Sequence, residues 1–564
     1  MSRLQGIKVL VLGLGDSGLA MCAWCRRLGA AVRVWDSRAD PPQLETLRAQ
    51  WPEVEFFHGE LPESELGTVQ LVLKSPGLSP LDARLAPLLQ LAQATGVPVQ
   101  GELDLFARAL ADLKAERRYA PFVLAITGTN GKTTTTCMTG LLTERCGLRT
   151  AVAGNIGPSM LTTLAAALDL EPAREISLDA EFTEETAEVT ELELVELTAL
   201  EEVDALLDEA PLPIKPPPPK GPVFEHLPEV WVLELSSFQL DEVQGFEPTA
   251  GAVLNLTQDH LDWHGDMSAY GRAKARVFGE HGVMVINRDD LLVEAMVPAP
   301  VMVKQGRGRP AKAVGRKVLR FGLDAPTHPG DFGLVEEAGM AWLVRAREAD
   351  ETFKRKAGDE DEEIIIQRLM PADALRVRGR HNAANALAAL ALATSAGCPL
   401  APMLHGLREY RGEPHRVEYL GAIEGIDFYD DSKGTNVGAT VAAISGLGAD
   451  RAPAKLLLIL GGDGKGQDFS PLRDGVTKHA RAVALIGRDG PQIEAALAEV
   501  QVPMQSHPTV EAATAWCFAQ AQAGDSVLLS PACASLDMFR NYAHRAEVFV
   551  AAVNELANER GLTL

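Results

Sequence analysis

A short apolar run, residues 122–126, leads directly into the sequence Gly-Thr-Asn-Gly-Lys-Thr-Thr at residues 128–134. This order predicts a buried strand that enters a phosphate-binding loop, because glycines let successive backbone N–H groups face one anion. In such a loop Lys132 reaches the outer phosphates, and the Thr133 hydroxyl holds Mg²⁺. The glycines stand closer together than in the Walker pattern, which indicates a particular subclass of ATP-dependent enzymes.

A second glycine-rich turn, Gly13-Leu-Gly-Asp-Ser-Gly18, follows the predicted strand 7–15. Asp36 ends the next predicted strand, 31–35, where an acidic residue could meet a ribose hydroxyl. The pattern is typical of a site for NAD or for another diphosphate held at a helix N-terminus. A tight strand–helix turn without a ligand would have the same glycines, so the motif alone leaves these alternatives open.

Alternation of strands and helices predicts an α/β fold with three domains. We expect an N-terminal Rossmann-like domain at 1–111, a central P-loop ATPase-like domain with a parallel sheet at 112–413, and a C-terminal Rossmann-like domain at 414–564. Further strands are predicted at 230–235, 251–255, 426–429, 455–460, 482–486 and 526–529, and a helix at 382–397. Ligands should bind where these strands end.

Two stretches interrupt the alternation, and both are predicted to be surface insertions. The first, about 169–228, is acidic and then rich in proline, and its leucines and valine between residues 192 and 203 could form one amphipathic helix. The second, about 345–363, is charged. Residues 169–209 contain sixteen carboxylates and one arginine, which is most of the net charge of −24. The acidity argues against nucleic-acid binding but says little about the functional surface.

The chain has seven cysteines, an odd number without a paired metal framework. Cys22 and Cys25 form a single CxxC inside the first predicted helix, where they are most simply two neighbouring helix residues. The absence of a signal peptide and of a bilayer-length apolar run predicts a cytoplasmic protein without membrane insertion. We expect a monomer.

Two polar groups follow predicted strands of the central domain. Glu234 ends one strand, and His260 lies in the loop after the next, so both should reach the sheet edge that carries the phosphate loop. A carboxylate and an imidazole there would suit a metal bridged to phosphate. The two residues are therefore candidate metal ligands.

Taken together, these motifs resemble the Mur ligase family, in order and over nearly the whole chain. The strings that carry the resemblance are GTNGKTT (128–134), AGNIG (153–157), LELSSFQL (233–240), NLTQDHLDWHG (255–265), GRHNAANALAALALA (379–393), PHRVE (414–418), DDSKGTN (430–436), LGGDGKGQDF (460–469) and LLSPACASLDMFRNY (528–542). The strings ELSSFQL and SPACASLDMF favour the branch of the family that adds D-glutamate.

The resemblance implies an ATP-dependent amide ligase that adds D-glutamate to UDP-N-acetylmuramoyl-L-alanine through an acyl phosphate, in peptidoglycan precursor synthesis. It also implies two Mg²⁺ ions and a carbamylated lysine, Lys274, which the bare sequence would leave as a surface helix residue. The N-terminal glycine turn would then hold the UDP group and not NAD.

The resemblance also assigns the site residues. The implied catalytic and metal-binding groups are Lys132, Thr133, Glu234, His260 and Lys274. The implied ATP-binding residues are Gly128, Thr129, Asn130, Gly131, Lys132, Thr133, Thr134, Asn382, Asn385, Arg416 and Asp431. The implied UDP-substrate residues are Gly15, Ser17, Asp36, Ser37, Arg38, Gly77 and Asn155. The implied D-glutamate residues are Lys433, Thr435, Lys465, Ser535 and Tyr542. Asp16 is unusual in the turn, because a carboxylate beside a diphosphate is unfavourable unless it points away.

Two other functions are open at this point. A folylpolyglutamate synthase-like ligase shares the phosphate loop and adds glutamate, but it would place that loop near its N-terminus. A catalytically inactive homologue could instead act as a nucleotide-binding scaffold through the acidic insertion. The intact set Lys132, Glu234, His260 and Lys274 argues against the inactive homologue.

Overall fold

A computed structural model of the chain describes residues 4–172, 224–241, 243–303, 312–349 and 364–564. Within these ranges the strands form three main sheets and one short hairpin. None of the described helices combines the length and the apolar character needed to cross a bilayer.

The first sheet has five parallel strands in the order β3-β2-β1-β4-β5. Its strands are β1 (Lys8–Leu12), β2 (Ala31–Asp36), β3 (Glu55–His58), β4 (Leu71–Lys74) and β5 (Val99–Gln100). Its helices are α1 (Asp16–Arg27), α2 (Leu44–Gln50), α3 (Ala86–Thr95) and α4 (Glu102–Arg117). The strand order reverses beside β1, which opens a crevice between the ends of β1 and β4.

The central sheet has nine strands in the order β16-β15-β14-β13-β10-β9-β6-β8-β7. They are β6 (Phe122–Thr127), β7 (Thr150–Gly154), β8 (Val230–Glu234), β9 (Ala250–Val253), β10 (Val283–Asn287), β13 (Val318–Phe321), β14 (Phe332–Glu337), β15 (Met340–Glu348) and β16 (Ile364–Pro371), with the separate hairpin β11 (Val301–Val303) and β12 (Lys312–Val314). The helices are α5 (Lys132–Arg145), α6 (Met160–Leu170), α7 (Ser237–Leu240), α8 (Leu261–His264), α9 (Met267–Ala275), α10 (Leu291–Glu294), α11 (Arg380–Ser395) and α12 (Leu400–Glu409).

The third sheet has six strands in the order β17-β18-β22-β19-β20-β21. They are β17 (Glu418–Ile423), β18 (Ile426–Asp430), β19 (Leu456–Gly461), β20 (Ala480–Ile486), β21 (Met504–Ser506) and β22 (Ser526–Leu529). The helices are α13 (Val437–Arg451), α14 (Leu472–His479), α15 (Gly490–Ala496), α16 (Val510–Gln520) and α17 (Tyr542–Asn558). Only β17 runs antiparallel to its neighbour, at the sheet edge.

One apolar core joins the first sheet to the central sheet. Phe106 of α4 packs edge-on against Trp231 of β8, with ring centroids 4.9 Å apart. The Trp231 indole N–H donates to the Tyr119 hydroxyl at 2.9 Å, and that hydroxyl donates to the Pro228 carbonyl at 2.7 Å. The Trp231 indole N–H and the Tyr119 hydroxyl are both paired, so these two aromatic residues are buried without an unpaired donor.

The predicted α/β class with three parallel-sheet domains is confirmed, and the strands predicted from apolar runs are present. Their ends are shifted by at most two residues, except that β1 ends at Leu12, three residues before the predicted end at 15. Two features differ from the expectation. The strands β7, β10 to β17 and β21 were not predicted, and the central sheet is extended by the antiparallel strands β15 and β16. The domain boundaries at 111 and 413 stay predictions.

The charged stretch predicted as an insertion at about 345–363 begins inside a strand. Its first residues belong to β15 and pair with β16, with Arg345 opposite Gln367 and Glu348 opposite Ile364. Alternating charged and apolar residues fit a strand with one solvated face, which charge alone does not reveal. The rest of this stretch, 350–363, lies outside the described residues.

The predicted insertion at about 169–228 lies mostly outside the described residues, as does the amphipathic helix predicted between 192 and 203. Its described ends meet at Glu171. The carboxylate of Glu171 accepts hydrogen bonds from the backbone N–H groups of Glu225, His226 and Leu227 at 2.6 to 3.3 Å. The chain therefore leaves and returns at one point, ahead of β8.

We predict that Gly18→Ala destabilises the first sheet, whereas Gly15→Ala does not. A Cβ at Gly18 would lie 1.9 Å from the Gly13 carbonyl oxygen, while one at Gly15 meets nothing within 4 Å. Urea unfolding should show a loss of about 2–3 kcal/mol for Gly18→Ala and a change within about 0.5 kcal/mol for Gly15→Ala. Equal losses in the two variants would contradict this account of the turn.

Candidate active site

The phosphate loop lies between the carboxyl end of β6 and the start of α5. Gly128 and Gly131 have φ angles of 154° and 82°, which a residue with a side chain rarely adopts. At Gly131 a Cβ would also lie 2.5 Å from the Asn385 Oδ1 atom, so α11 packs directly on the loop. The loop is thus shaped by its own backbone and by a close neighbour.

Two lysines converge on one carbonyl oxygen of this loop. The Lys132 Nζ donates to the carbonyls of Gly128 and Thr129 at 2.9 and 2.8 Å. The Lys274 Nζ donates to the same Gly128 carbonyl at 2.8 Å and packs 4.7 Å from the Tyr270 ring centroid. Lys274 is fully buried. Burial, and next the charge of Lys132, hold the pKa of Lys274 well below its usual range.

Glu234, at the end of β8, is buried and only partly satisfied. Its Oε1 atom accepts a hydrogen bond from the Asn155 Nδ2 at 2.7 Å. Its Oε2 atom has no hydrogen-bond partner among the described residues. A buried carboxylate oxygen with an open lone pair beside a phosphate loop is a suitable ligand for a divalent cation.

His260 lies in the loop after β9, with its φ in the left-handed region at 53°. Its ring packs edge-on against Phe238 at 4.7 Å, and its Nε2 atom lies 3.5 Å from an oxygen of Asp259. Burial lowers the pKa of His260, and the charges of Lys465, Lys132 and then Lys274 lower it further against the opposing effect of Asp259. The neutral imidazole favoured here is the form that binds metals.

A cavity of about 270 Å³ separates the central sheet from the third sheet. Its polar lining includes Asn130, Gly131, Thr134, Asn382, Asn385, Arg416, Asp431 and Lys433, and its apolar lining includes Leu254, Phe321, Leu323 and Val377. A mostly apolar cavity with a few convergent polar groups, next to a phosphate loop, fits a nucleoside base.

Two polar groups of the third domain border this cavity. The Arg416 guanidinium donates to the Thr133 hydroxyl at 2.5 Å and so crosses between the domains. Asp431 accepts from the Ser530 hydroxyl at 2.6 Å, and burial raises its pKa to about 7. The site is thus completed by two domains.

The residues predicted for the amino acid follow three adjacent strands of the third sheet. Lys433 and Thr435 come after β18, Lys465 after β19, and Ser535 and Tyr542 after β22. The Lys433 Nζ lies 4.0 Å from the Tyr542 ring centroid. Lys465 is exposed on its loop, and its charge acts on His260. Lys433 also lines the cavity between the central and third sheets.

The residues predicted for the UDP group follow β1, β2 and β4, on both sides of the crevice in the first sheet. A Cβ added at Gly15 or Gly77 would have no atom within 4 Å, so packing does not require a glycine at either position. The close approach of a ligand would require one. Ser37 and Arg38 directly follow β2. Ser17 lies in the first turn of α1.

Two carboxylates near this crevice have structural partners. Asp36 is buried, and its Oδ2 accepts from the Leu14 backbone N–H at 2.8 Å while Arg38 pairs with both oxygens. Asp16 is exposed, and its carboxylate accepts a hydrogen bond from the Gln43 side chain at 2.7 Å, which holds the carboxylate away from the glycine turn. Asn155 lies apart from the other predicted UDP residues, against Glu234.

Sequence reasoning left several residues of the site unassigned. The Asn255 side chain accepts from the Asn130 backbone N–H at 2.8 Å and donates to the Asn130 carbonyl at 3.0 Å. The negative charge of Asp259 acts to raise the pKa values of Lys132 and Lys274, against the effect of burial. Their position after β9 was the available signal. Arg545 is fully buried in α17, where it donates to the carbonyls of Ser432 and Cys533. A helical arginine gives no such signal.

The two cysteines of the CxxC sequence are not reactive thiols. Cys22 and Cys25 are buried within α1, as predicted, and burial raises the pKa of each to about 12. A thiol with that pKa stays protonated at neutral pH.

Family models match three parts of the chain. They are described as the MurD-like N-terminal domain of Mur ligases at residues 7–101, the Mur ligase middle domain at 224–318, and the Mur ligase glutamate ligase domain at 415–533. A relative from Albidiferax ferrireducens named UDP-N-acetylmuramoylalanine--D-glutamate ligase is 54% identical, over 100% of this chain and 98% of its own. One of the same name from Burkholderia mallei is 50% identical, over 99% and 98%.

The chain therefore belongs to the Mur ligase family. Among solved structures, the UDP-N-acetylmuramate-alanine ligase of Thermotoga maritima aligns with a TM-score of 0.50 at 17% identity, covering 98% of this chain and 100% of that one. MurF from Acinetobacter baumannii aligns with a TM-score of 0.50 at 16% identity, covering 98% and 91%. These likenesses support the three-domain fold.

We predict that Glu234→Gln keeps the fold but loses divalent-cation binding. The amide retains the acceptor used by Asn155, yet it replaces the open Oε2 with an N–H₂ group that repels a cation. Manganese binding, followed by electron paramagnetic resonance with an ATP analogue present, should weaken at least about tenfold.

The matched control for this variant is Glu229→Gln, at the opposite end of the same strand, where Glu229 accepts from the Arg149 backbone N–H. Its manganese affinity should equal that of the wild type. Equal affinities in the two variants would remove Glu234 from the metal site.

Proposed function

We propose that this protein is an ATP-dependent ligase that joins D-glutamate to UDP-N-acetylmuramoyl-L-alanine. The observation that carries the proposal is that three half-sites lie at the carboxyl ends of parallel strands, one on each sheet: an open glycine crevice, a phosphate loop with a buried carboxylate, and two lysines on the third sheet. Full-length relatives at 50% and 54% identity carry the matching name, which supports the choice of substrate.

Each half-site suits one substrate. A diphosphate can approach the open glycines at the N-terminus of α1. A triphosphate fits the loop before α5, with its base in the interdomain cavity lined by Asn382 and Asn385. A dicarboxylate amino acid matches Lys433 and Lys465, because two cations pair with two carboxylates.

A carboxylate is a poor acyl donor, so the reaction uses ATP to activate it. The terminal carboxylate of the UDP substrate attacks the γ-phosphorus, ADP leaves, and an acyl phosphate forms. The D-glutamate amine then attacks the carbonyl carbon, the tetrahedral intermediate expels inorganic phosphate, and an amide remains. The protein supplies positioning and charge neutralisation and needs no nucleophilic side chain.

The described residues divide this work. Lys132 turns from the loop carbonyls to the phosphoryl oxygens when these arrive, and Arg416 adds a second cation from the third domain. Glu234, His260 and the Thr133 hydroxyl would hold Mg²⁺, which supplies charge neutralisation to the phosphates when bound. His260, if bound to metal, is not free to take the proton from the amine.

Lys274 is proposed to carry a carbamate. Burial lowers the pKa of the Lys274 ammonium and so favours the free amine, which is the form that adds to the carbon of CO₂ with loss of one proton. Lys132 and Lys274 share one carbonyl acceptor, so an anionic carbamate on Lys274 would attract the Lys132 ammonium beside it. The product would also add an oxygen ligand for a second Mg²⁺.

The enzymatic alternative, a folylpolyglutamate synthase-like ligase, is disfavoured by the complete glycine crevice ahead of the phosphate loop. The assay that separates the two is ADP release with UDP-N-acetylmuramoyl-L-alanine and either D-glutamate or L-glutamate. The proposal expects release with the D-isomer and little with the L-isomer. No ADP with every substrate supplied would refute the proposal and favour the inactive scaffold.

Lys132→Ala is predicted to abolish acyl phosphate formation. Loss of the cation that neutralises the transferred phosphoryl group should lower the rate by about a thousandfold or more. Trapping with hydroxylamine measures the acyl phosphate directly. Near-normal trapping would exclude Lys132 from this role.

Lys465→Ala is predicted to raise the D-glutamate KM about ten- to hundredfold, because one charge-assisted contact to a carboxylate is lost. The KM for ATP should stay the same. Lys455→Ala, which removes a lysine of the same domain that donates to the Lys478 carbonyl, is the control and should leave both KM values unchanged.

Lys274→Arg is predicted to lose a carbamate signal. Wild-type protein equilibrated with carbon-13-labelled CO₂ should show a carbamate resonance, since burial favours the free amine of Lys274, and the arginine variant should show none. A wild-type spectrum without that resonance would count against carbamylation even if the enzyme is active.

A further inference from the structure

We propose that Asn436 is a positioning residue that fixes the phosphate loop of the central domain against the amino-acid half-site of the third domain. The inference rests on the proposed function, because it concerns how the two half-sites are brought into register. It assigns a role to a side chain that binds no substrate in the scheme above.

Asn436 makes two hydrogen bonds with different consequences. Its Oδ1 atom accepts from the Ala439 backbone N–H at 2.8 Å, which caps the N-terminus of α13. Its Nδ2 atom donates to the Oδ1 of Asn130 at 3.1 Å, across the domain interface. A cap needs only the acceptor, so the second bond is additional to holding the helix.

Asn130, the partner in this contact, is itself held in place by hydrogen bonds. Both of its backbone groups pair with the Asn255 side chain, the N–H at 2.8 Å and the carbonyl at 3.0 Å. Asn255 lies two residues after the end of β9, so the phosphate loop is held by the central sheet. A hydrogen bond to Asn130 therefore fixes the position of the whole phosphate loop relative to its partner.

On the other side, α13 is tied to the loops that carry the lysines. Lys433 and Thr435 immediately precede Asn436 in the chain. The Val437 N–H donates to the Gln467 Oε1 at 3.0 Å, and the Gln467 Nε2 donates to the Gly464 carbonyl at 3.0 Å, next to Lys465. Movement of Asn436 would carry both lysine loops with it.

The packing of α13 against the central domain depends on two of its glycines. A Cβ at Gly438 would lie 2.8 Å from the Thr257 Oγ1, and one at Gly446 would lie 2.6 Å from the His381 Nδ1 and 3.2 Å from the Gly379 Cα. The helix thus approaches the central domain closely at both points. This contact brings Asn436 within reach of Asn130.

Two variants test the proposal from opposite directions. Asn436→Ser keeps a capping oxygen but is too short to reach Asn130, while Gly446→Ala keeps the bond donor but forces α13 away. Thr509→Ala removes the cap of α16, which packs within the third domain, and Gly490→Ala adds a Cβ that meets nothing closer than 3.6 Å. These two serve as controls.

The measurements are the radius of gyration by small-angle X-ray scattering and the steady-state constants. The scattering uses the UDP substrate with a non-hydrolysable ATP analogue and Mg²⁺. Both test variants should retain a larger radius than wild type with these ligands and raise the D-glutamate KM about five- to tenfold, as expected for one hydrogen bond. The UDP-substrate Kd should be unchanged.

Each outcome is decisive. If Asn436→Ser has the wild-type radius and KM, Asn436 is only a helix cap and the proposal is overturned. If Thr509→Ala shifts these readouts equally, loss of general stability explains them and the proposal also fails. A wild type that makes no product with D-glutamate but shows the radius difference from both variants would refute the proposed function and leave the coupling intact.

Discussion

The active site depends on positive charge concentrated around a single backbone carbonyl. Lys132 and Lys274 both donate to the Gly128 oxygen, and Arg416 reaches the adjoining threonine from another domain. Without phosphate, these cations are satisfied by the loop itself, which avoids an unpaired buried charge. A triphosphate would replace backbone dipoles with full negative charges. The arrangement therefore favours a polyanion while remaining stable in its absence.

The three domains divide recognition so that no single sheet binds all substrates. Each half-site lies at the carboxyl ends of parallel strands, where loops are free to vary while the sheet stays fixed. Because the cavity is walled by the central and third domains together, a nucleotide bound there also bridges them. Chemistry then requires the domains to be held in one relative position, which loosely packed domains do not maintain by themselves.

Much of the fold and of the candidate site was predictable from the sequence, because glycine spacing and buried parallel strands leave strong local signals. The phosphate loop, the glycine turn and the strand ends that carry Glu234 and His260 follow from that pattern. Long-range pairing left weaker signals. The strand β7, with its half-buried Thr150 and Ala151, lacks a strongly apolar run, and β15 contains enough charge to resemble a surface segment. The roles of Asn255 and Asn436 depend on partners more than a hundred residues away, which periodicity does not encode.

Individual site assignments divide in the same way. The burial of Lys274 and its lowered pKa follow only from its packing on Tyr270 and the loop, since the sequence alone presents it as an ordinary helix lysine. The motif makes Asp36 a candidate ribose contact. Its carboxylate already accepts hydrogen bonds from the Leu14 backbone N–H and the Arg38 side chain, so it also stabilises the glycine turn. The motif predicted the glycine turn, which the structure contains, and the hydrogen bonds define what the carboxylate does there.

The clamp at Glu171 has an evolutionary consequence. The backbone N–H groups of residues 225–227 are hydrogen-bonded to the Glu171 carboxylate. The two ends of the insertion are therefore held together next to the sheet, whatever the number of residues between them. The entropic cost of a longer excursion grows only logarithmically. This position, before β8 and at the edge remote from the phosphate loop, is thus one where a lineage can gain or lose dozens of residues without altering the catalytic framework.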